Sequence, residues 1–358
     1  MKIEGNFGED GFVIVRQLFD RAWVERMLPI LDAAQATNAE MNPETGKPGG
    51  RQKSFFHVNN TKYFPPGSSE LRELLESAAD EQLHEVFELA CGARPTFSHF
   101  SCWYEPEQDE AGGGWCVLCH VPPFCLAQPL PDNAGRCLHP ARLRHRDMQY
   151  VFPNEVEEKE RISSGQGYGS GNTRFSGIQV QCALLDGSAH IEYVPGSHAR
   201  WDTEEEYAVR KADNFSHRFE PMPGAVRPVL QAGDAFAFTD GLHRGHYEAA
   251  VPRRTLMFTL SNGRRARGLD YFTFQPWFLE PGYLSGLSPR ASTFYGRYLD
   301  EYGTEMREAA GLLREHPAGI DVAYREVRAM INASNSLSKN VRAWHAQMVQ
   351  KRGSRAHL

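Results

Sequence analysis

Two short stretches of the chain carry the side chains that bind metal ions most readily. In RHRDMQY, His145 and Asp147 are two residues apart, so on a β-strand an imidazole and a carboxylate would point to the same face. In GDAFAFTDGLHRGH, an alternating strand leads to His243, and His246 follows. Two histidines and one carboxylate form the facial triad of non-haem Fe(II) oxygenases, whereas zinc prefers a closed tetrahedron. The pattern therefore favours Fe(II), with either histidine as the third ligand.

Two adjacent arginines, Arg253 and Arg254, open the next β-rich segment, RRTLMFTL. Alternation along a strand places Arg254 with three apolar residues, Leu256, Phe258 and Leu260. This pattern predicts that Arg254 faces the core and that Arg253 faces solvent. A buried arginine needs an anion, and its planar fork binds a carboxylate through two hydrogen bonds. Arg254 is therefore the candidate for an anionic cofactor, with a purely structural ion pair as the alternative.

The elements that would position these residues are short strands with helices before and after them. GFVIVRQLF alternates like a strand, and a helix with one apolar face begins at Asp20. The residues of that face are Trp23, Val24, Met27, Leu28, Leu31 and Ala34. A second helix is predicted through LRELLESAADEQLHEVFELAC, ended by Gly92. From 94 to 275, short β-branched and aromatic runs between turns predict a β-sandwich or barrel, interrupted by one helix with the capping box Thr203-x-x-Glu206.

Composition narrows the class of protein. The chain has 358 residues, 41% of them hydrophobic, and a net charge of −6. These values predict a soluble globular protein and make nucleic acid an unexpected partner. The N-terminus lacks the pattern of a signal peptide, and no apolar run is long enough to span a membrane. Seven unevenly spaced cysteines favour reduced thiols, and hence a cytoplasmic enzyme.

Two segments interrupt the β-rich region. Residues 116–144 are rich in cysteine and proline, and removing them would leave the continuous sequence GGGWHRDMQY, so we interpret them as an insertion. A zinc site in that segment is an alternative, although the spacing matches no regular zinc module. Its possible ligands are Cys116, Cys119, His120, Cys125, Cys137 and His139. The glycine- and serine-rich stretch 163–172 is either an active-site lid or a surface loop.

The motifs resemble those of the phytanoyl-CoA dioxygenase family of Fe(II)- and 2-oxoglutarate-dependent oxygenases. The matching segments are EDGFVIV near the N-terminus, HRD at 145–147, EYVPGSH at 192–198 and GD…LHRG…PRRTL at 233–256, so the resemblance covers most of residues 5–265. It implies a double-stranded β-helix (jelly-roll, cupin-like) core. It also implies that a histidine, an aspartate and a second histidine bind Fe(II), with a downstream arginine on the far carboxylate of 2-oxoglutarate.

The resemblance also implies individual roles. In such proteins the second histidine precedes the arginine by about eleven residues, which fits His243 and Arg254. His145, Asp147 and His243 are therefore the expected metal ligands, and His246 a neighbouring or exposed residue. His198 of VPGSH is expected to have a structural role in a tight turn. Related halogenases carry a small residue in place of the aspartate, so the carboxylate favours hydroxylation, desaturation or ring formation.

The predicted organisation is a dioxygenase domain over 1–287, with N-terminal helices (1–93) and a β-helix core (94–275), and a helical extension over 288–358. The predicted function is oxidation of a small molecule by O2, with release of succinate and CO2. Four further residues near the motifs are candidates for a substrate pocket, or for solvated surface: Trp115, Arg146, Tyr150 and Arg244. The C-terminal helices would cover the site or form a homodimer surface. The alternatives are a catalytically silent ligand-binding relative and a zinc-binding protein.

Overall fold

The computed structural model describes the chain in several stretches. They are residues 1–41, 55–105, 142–146, 154–164, 177–189, 191–211, 222–246, 252–263, 269, 273–317, 320, 323, 326–327 and 337–355. Within them, only the backbone is described at 39–41, 55–56, 104–105, 142–145, 211, 246, 337–338 and 351–355. The predicted insertion and the glycine-rich segment from 165 onward lie outside the described residues.

Ten strands and seven helices lie in the described part of the chain. The strands are β1 (Lys2–Glu4), β2 (Phe12–Arg16), β3 (Phe55–Phe56), β4 (Thr96–Glu105), β5 (Arg142–His145), β6 (Gly177–Ala183), β7 (Ile191–Tyr193), β8 (Ala235–Thr239), β9 (Arg244–His246) and β10 (Arg253–Ser261). The helices are α1 (Arg21–Met41), α2 (Ser69–Ala78), α3 (Glu81–Cys91), α4 (Glu155–Ser163), α5 (Glu204–Lys211), α6 (Pro289–Arg314) and α7 (Leu337–Arg355).

The strands form two sheets. The larger has the order β1-β2-β8-β6-β10-β4-β3, and the smaller has the order β5-β9-β7. The pairs β1–β2, β2–β8, β3–β4, β5–β9 and β7–β9 are antiparallel. The architecture is therefore a mostly antiparallel β structure with flanking helices. The finer prediction of a closed double-stranded β-helix stays a prediction.

The chain separates into two compact units by its internal contacts. Unit 1 comprises 1–58, 100–146 and 180–257, and unit 2 comprises 59–99, 147–179 and 258–358. In unit 1, aromatic side chains of both sheets share one hydrophobic cluster. The ring of Phe12 on β2 lies 4.2 Å from that of Tyr193 on β7, and Phe236 on β8 stacks on the same tyrosine at 4.7 Å. The predicted domain boundary at 287 stays a prediction.

The N-terminal helices follow the sequence pattern with one difference. Asp20 caps α1, since its carboxylate accepts the Trp23 N–H at 2.7 Å. The predicted single helix through residue 91 is wrong, because α2 ends at Ala78 and α3 begins at Glu81. Asp80 causes the break: its side chain accepts the N–H groups of Gln82 and Leu83 and so starts a new helix. The left-handed cap at Gly92 is confirmed, with φ of 61°.

Unit 2 is built around aromatic packing. The ring of Phe278 lies 5.0 Å from that of Tyr298 and 4.7 Å from that of Tyr283, and Phe97 contacts the same cluster. These rings are almost fully buried. No helix among the described residues is long and apolar enough to cross a membrane.

Candidate metal centre and its surroundings

The small sheet brings two of the predicted metal-binding segments together. In the antiparallel register of β5 and β9, His145 is the partner of Arg244, the residue that follows His243. The same strand β9 pairs with β7, where Tyr193 is opposite Arg244. Residues 145 and 243 therefore lie on neighbouring chain segments, although they are far apart in sequence. His246 pairs with Arg142, three residues before His145.

His243 is buried and its backbone is held on both sides. Only 1% of its surface is exposed. Its N–H donates to the hydroxyl of Ser197 at 2.8 Å, and its carbonyl accepts the N–H of Val194 at 2.9 Å. Both partners belong to the VPGSH turn, in which Gly196 adopts a positive φ of 71°. That turn therefore fixes the position of the histidine.

His198, in the same turn, packs against the N-terminal segment. A Cβ atom at Gly11 would lie 2.5 Å from the ring Nδ1 of His198, which leaves room only for glycine at that position. The ring is 7% exposed. This packing accords with the structural role expected for His198.

A buried charge cluster lies beside His243. The side chains of Arg146, Asp202 and Arg210 are fully buried, and both arginines donate to the aspartate. Nδ1 of His243 is 3.7 Å from Oδ1 of Asp202. Arg146 is therefore not solvated and does not line an open pocket. Its guanidinium donates to Asp202 and to backbone carbonyls, including that of Gly241 at 2.6 Å.

The capping box after this cluster is confirmed. Glu206 N–H donates to the Thr203 hydroxyl at 3.2 Å, and Thr203 N–H donates to the Glu206 carboxylate at 2.9 Å. Burial would raise the pKa of Glu206, but the hydrogen bonds from Arg200 and Thr203 outweigh burial, and the pKa lies below its ordinary value. Glu206 is therefore a charged residue that anchors α5 next to Asp202.

The orientation of the two arginines differs from the prediction. The prediction that Arg253 faces solvent is wrong, since none of its surface is exposed. Arg254 is the more exposed of the two, with 14% of its side chain accessible, and its Nε lies 3.3 Å from a carboxylate oxygen of Asp32 on α1. Burial raises the pKa of the Cys102 thiol, and Arg254 partly opposes this, so Cys102 is near Arg254. The apolar face of β10 is buried as well. Arg254 lies on that face and reaches Asp32 on α1.

The opposite face of β10 combines a buried cation with hydroxyl groups. The guanidinium of Arg253 lies over the ring of Trp103 on β4, 4.6 Å from its centre. Thr255 shares the face of Arg253, and Ser101 shares the face of Trp103, because residues two apart on a strand point the same way. Both hydroxyl groups are buried, and neither has a hydrogen-bond partner in the described part of the chain. This face has the chemistry to bind a carboxylate.

The remaining predicted site residues are only partly placed. Asp147, Trp115, Tyr150 and the Cys- and His-containing insertion lie outside the described residues, as do the side chains of His145 and His246. Among the described residues, no three His, Cys, Asp or Glu side chains are grouped to hold an ion. The donor set of two imidazoles and one carboxylate nevertheless suits ferrous iron. The β5–β9 register is compatible with this prediction, because two of the three predicted ligands come from adjacent segments.

Arg244, predicted to line a pocket or to lie at the surface, is nearly buried, whereas Asp202 lies beside His243 although no motif indicates it. Arg244 is 9% exposed and its guanidinium lies over the ring of Phe238, 5.0 Å from the centre. Asp202 carries no sequence signal of its own, since DTEEE resembles an ordinary solvated helix start. Arg253 carried no local signal, because alternation along β10 placed it on the face opposite the apolar residues, and that face is buried as well.

Comparison with known proteins gives structural likenesses alone. No family model matches the chain, and no curated protein sequence matches it. A crystal structure of EctD from S. alaskensis with 2-oxoglutarate and 5-hydroxyectoine is 16% identical, with 77% of this chain and 81% of that chain covered and a TM-score of 0.45.

Two further solved structures are similar at the same level. HygX from Streptomyces hygroscopicus, with nickel and 2-oxoglutarate bound, is 12% identical, with coverage of 74% and 88% and a TM-score of 0.44. The epimerase SnoN from nogalamycin biosynthesis, described as α-ketoglutarate dependent, is 15% identical, with coverage of 79% and 89% and a TM-score of 0.40. The resemblance to the phytanoyl-CoA dioxygenase family is not confirmed and stays a prediction.

Proposed function

We propose that the protein is an Fe(II)- and 2-oxoglutarate-dependent dioxygenase that oxidises a small molecule. The observation that carries this proposal is the register of β5 with β9, which pairs His145 with the residue after His243. A histidine from each segment, together with Asp147, would hold the iron on one side and leave positions open on the other. When bound, iron and 2-oxoglutarate would supply the oxidant, with succinate and CO2 as co-products.

The chain's own residues would orient and shield this chemistry. The VPGSH turn holds the backbone of His243, so the ligand would be in place before the ion arrives. The cluster of Phe12, Tyr193 and Phe236 between the two sheets would exclude water from the interior. Asp147, as a carboxylate, would occupy the position that a halide needs, which favours hydroxylation, desaturation or ring formation over halogenation.

Two arginines are candidates for the far carboxylate of 2-oxoglutarate. The sequence pattern favours Arg254, whereas burial favours Arg253, which is fully enclosed beside the hydroxyl-bearing Thr255. A buried guanidinium binds a carboxylate more strongly than one that already lies near an exposed aspartate. We infer that Arg253 is the carboxylate-binding arginine and that Arg254 links β10 to α1.

The experiment that tests the function is an anaerobic titration of the metal-free protein with Fe(II) and 2-oxoglutarate. A 2-oxo acid chelated to Fe(II) gives a visible charge-transfer absorption, whereas succinate lacks the keto group and gives none. We expect the band in the wild type and in His246→Ala, and its loss in His243→Ala. If the wild-type protein bound neither Fe(II) nor 2-oxoglutarate, the proposal would be wrong, and the protein would instead be a catalytically silent ligand-binding relative.

A further inference from the structure

A single carboxylate stands at the centre of the charge cluster near His243. Nε of Arg146 donates to Oδ1 of Asp202 at 3.0 Å, and Nε of Arg210 donates to Oδ2. All three side chains are fully buried. The guanidinium of Arg210 is itself packed over the ring of Trp201, 4.8 Å from its centre. Because each oxygen is held by a different arginine, the carboxylate of Asp202 has one fixed orientation.

The fixed carboxylate faces one particular nitrogen of His243. Its Oδ1 atom is 3.7 Å from Nδ1 of the imidazole. This distance is longer than a formed hydrogen bond, but such contacts often tighten when the ligand of a site is bound. The other ring nitrogen, Nε2, is the one not directed at Asp202. The histidine therefore presents two chemically different edges to its surroundings.

Arg146 connects this carboxylate to the backbone that holds the histidine. Its guanidinium also donates to the carbonyl of Ser197, and to that of Gly241 at 2.6 Å. The hydroxyl of Ser197 is the group that accepts the N–H of His243. One buried arginine thus ties together Asp202, the VPGSH turn and the loop that precedes His243. The backbone and the ring of His243 are restrained through the same cluster.

We propose that Asp202 is a positioning residue for the metal centre, holding Nδ1 of His243 so that Nε2 binds the ion. The inference rests on the proposed function. Metal-binding histidines commonly donate their second ring N–H to a carboxylate, which fixes the tautomer and makes the ligating nitrogen more basic. Loss of such a partner typically lowers metal affinity about 10- to 100-fold. Asp202 fills this role from a segment remote from all three predicted ligands.

The test compares metal affinity in variants that differ only at Asp202. Asp202→Asn alone leaves two buried arginines against no carboxylate, so the fold itself could be lost. We therefore pair Asp202→Asn/Arg210→Met with Arg210→Met, since both lack the same arginine. The double variant also keeps the net charge of the cluster. Glu206→Gln is a second control, because it removes the neighbouring buried carboxylate that binds Arg200 instead.

The readouts are the dissociation constant of Co(II) and the visible d–d spectrum of the Co(II) protein. We expect an affinity at least about 10-fold weaker in the double variant than in Arg210→Met, with an altered spectrum, and an affinity within about 3-fold of the wild type in Glu206→Gln. Equal affinities in the double variant and Arg210→Met would overturn the role of Asp202 while leaving the proposed function intact. A wild type that binds no Co(II) would overturn both.

A measurement on the wild-type protein avoids any question of misfolded variants. Histidine-ring ¹⁵N NMR of the Zn(II)-loaded protein reports which nitrogen carries the proton and which binds the metal. The His243 signal is identified by its loss in His243→Gln. We expect the proton on Nδ1 and the metal on Nε2. Metal on Nδ1 would contradict the proposal, because that nitrogen faces Asp202.

Discussion

Both units of the protein bury aromatic rings, but unit 1 also buries a group of charged side chains close to the predicted site. Unit 1 encloses charged groups, Arg146, Asp202, Arg210 and Arg253, all within the region of the predicted metal and cofactor sites. Unit 2 encloses an aromatic cluster around Phe278. Burying charged side chains costs free energy, whereas burying aromatic rings stabilises the fold. We therefore expect buried charges where a fixed arrangement of side chains matters more than stability. We expect the buried charges of unit 1 to serve the proposed site, and the aromatic cluster of unit 2 to serve stability.

Removing a buried ring from unit 2 should have the largest effect on stability. Phe278→Ala should lower the free energy of unfolding by about 3–5 kcal/mol, because the ring is buried among four other aromatic rings. Chemical denaturation measures the change, and Leu89→Ala, at a side chain 59% exposed, should cost under about 0.5 kcal/mol. Weakened Fe(II) binding by the folded Phe278→Ala protein would break the division of roles.

Unit 2 also contains a titratable group whose effect on stability has a defined sign. Burial lowers the pKa of His84 to about 4 from an ordinary value of 6.5. Between pH 6.5 and 4, the unfolded chain binds a proton that the folded protein does not, so stability falls as the pH falls. The loss should reach about 3 kcal/mol at pH 4.

The measurement for His84 is denaturation at a series of pH values. His84→Gln should flatten the dependence in that window, since the glutamine amide does not titrate and can still donate to the Ala78 carbonyl that His84 contacts at 3.1 Å. An unchanged slope in the variant would assign the acid sensitivity to other groups.

The arginines of unit 1 give a prediction about binding. Arg253→Ala should weaken 2-oxoglutarate binding to the Ni(II)-loaded protein about 100-fold, the effect expected when one partner of a buried charged pair is removed. Arg254→Ala should change it less than about 3-fold, because an exposed ion pair contributes little. Titration calorimetry measures both. Arg253→Lys, which keeps the charge but loses the fork, should lie between them.

The reverse order of effects would restore the assignment made from the sequence. It would mean that Arg254 leaves Asp32 to bind the carboxylate and that the buried Arg253 has a structural role.

The smallest expected effect is at the start of α5, the helix that follows Asp202. Thr203→Ala should lower the free energy of unfolding by about 1 kcal/mol, because the N–H of Glu206 loses its acceptor. Thr203→Ser should recover most of the loss. Equal stability of the alanine and serine variants would show that the capping box does not hold this helix.

The sequence was most informative where local chemistry decides the structure. The cap at Gly92, the box at Thr203 and the strand in GFVIVRQLF each depend on a few neighbouring residues, and all three are confirmed. The break at Asp80 could also be read locally, since an aspartate directly before a helical run is a strong start signal. The continuous apolar periodicity across it hid the break.

The candidate site depended on information that no local pattern contains. Alternation correctly separated the two faces of β10, but it could not tell how deeply each face is buried. Both faces are buried, so an apolar pattern did not identify the face on which we propose that the carboxylate binds. Asp202 could not be identified from the sequence. Of its two partners, Arg146 is far away in the sequence, and Arg210 belongs to no motif. The three metal ligands came from spacing and resemblance, and they stay predictions.

The central claim is that histidines from the β5 and β9 segments bind one metal ion. Pulsed electron paramagnetic resonance of the Cu(II)-loaded protein tests it most directly, because the echo modulation counts the imidazoles bound to the ion. We expect two imidazoles in the wild type and in His246→Ala, and one in either His145→Ala or His243→Ala. A wild-type ion without imidazole ligands, or a count that neither of those two variants changes, would contradict it.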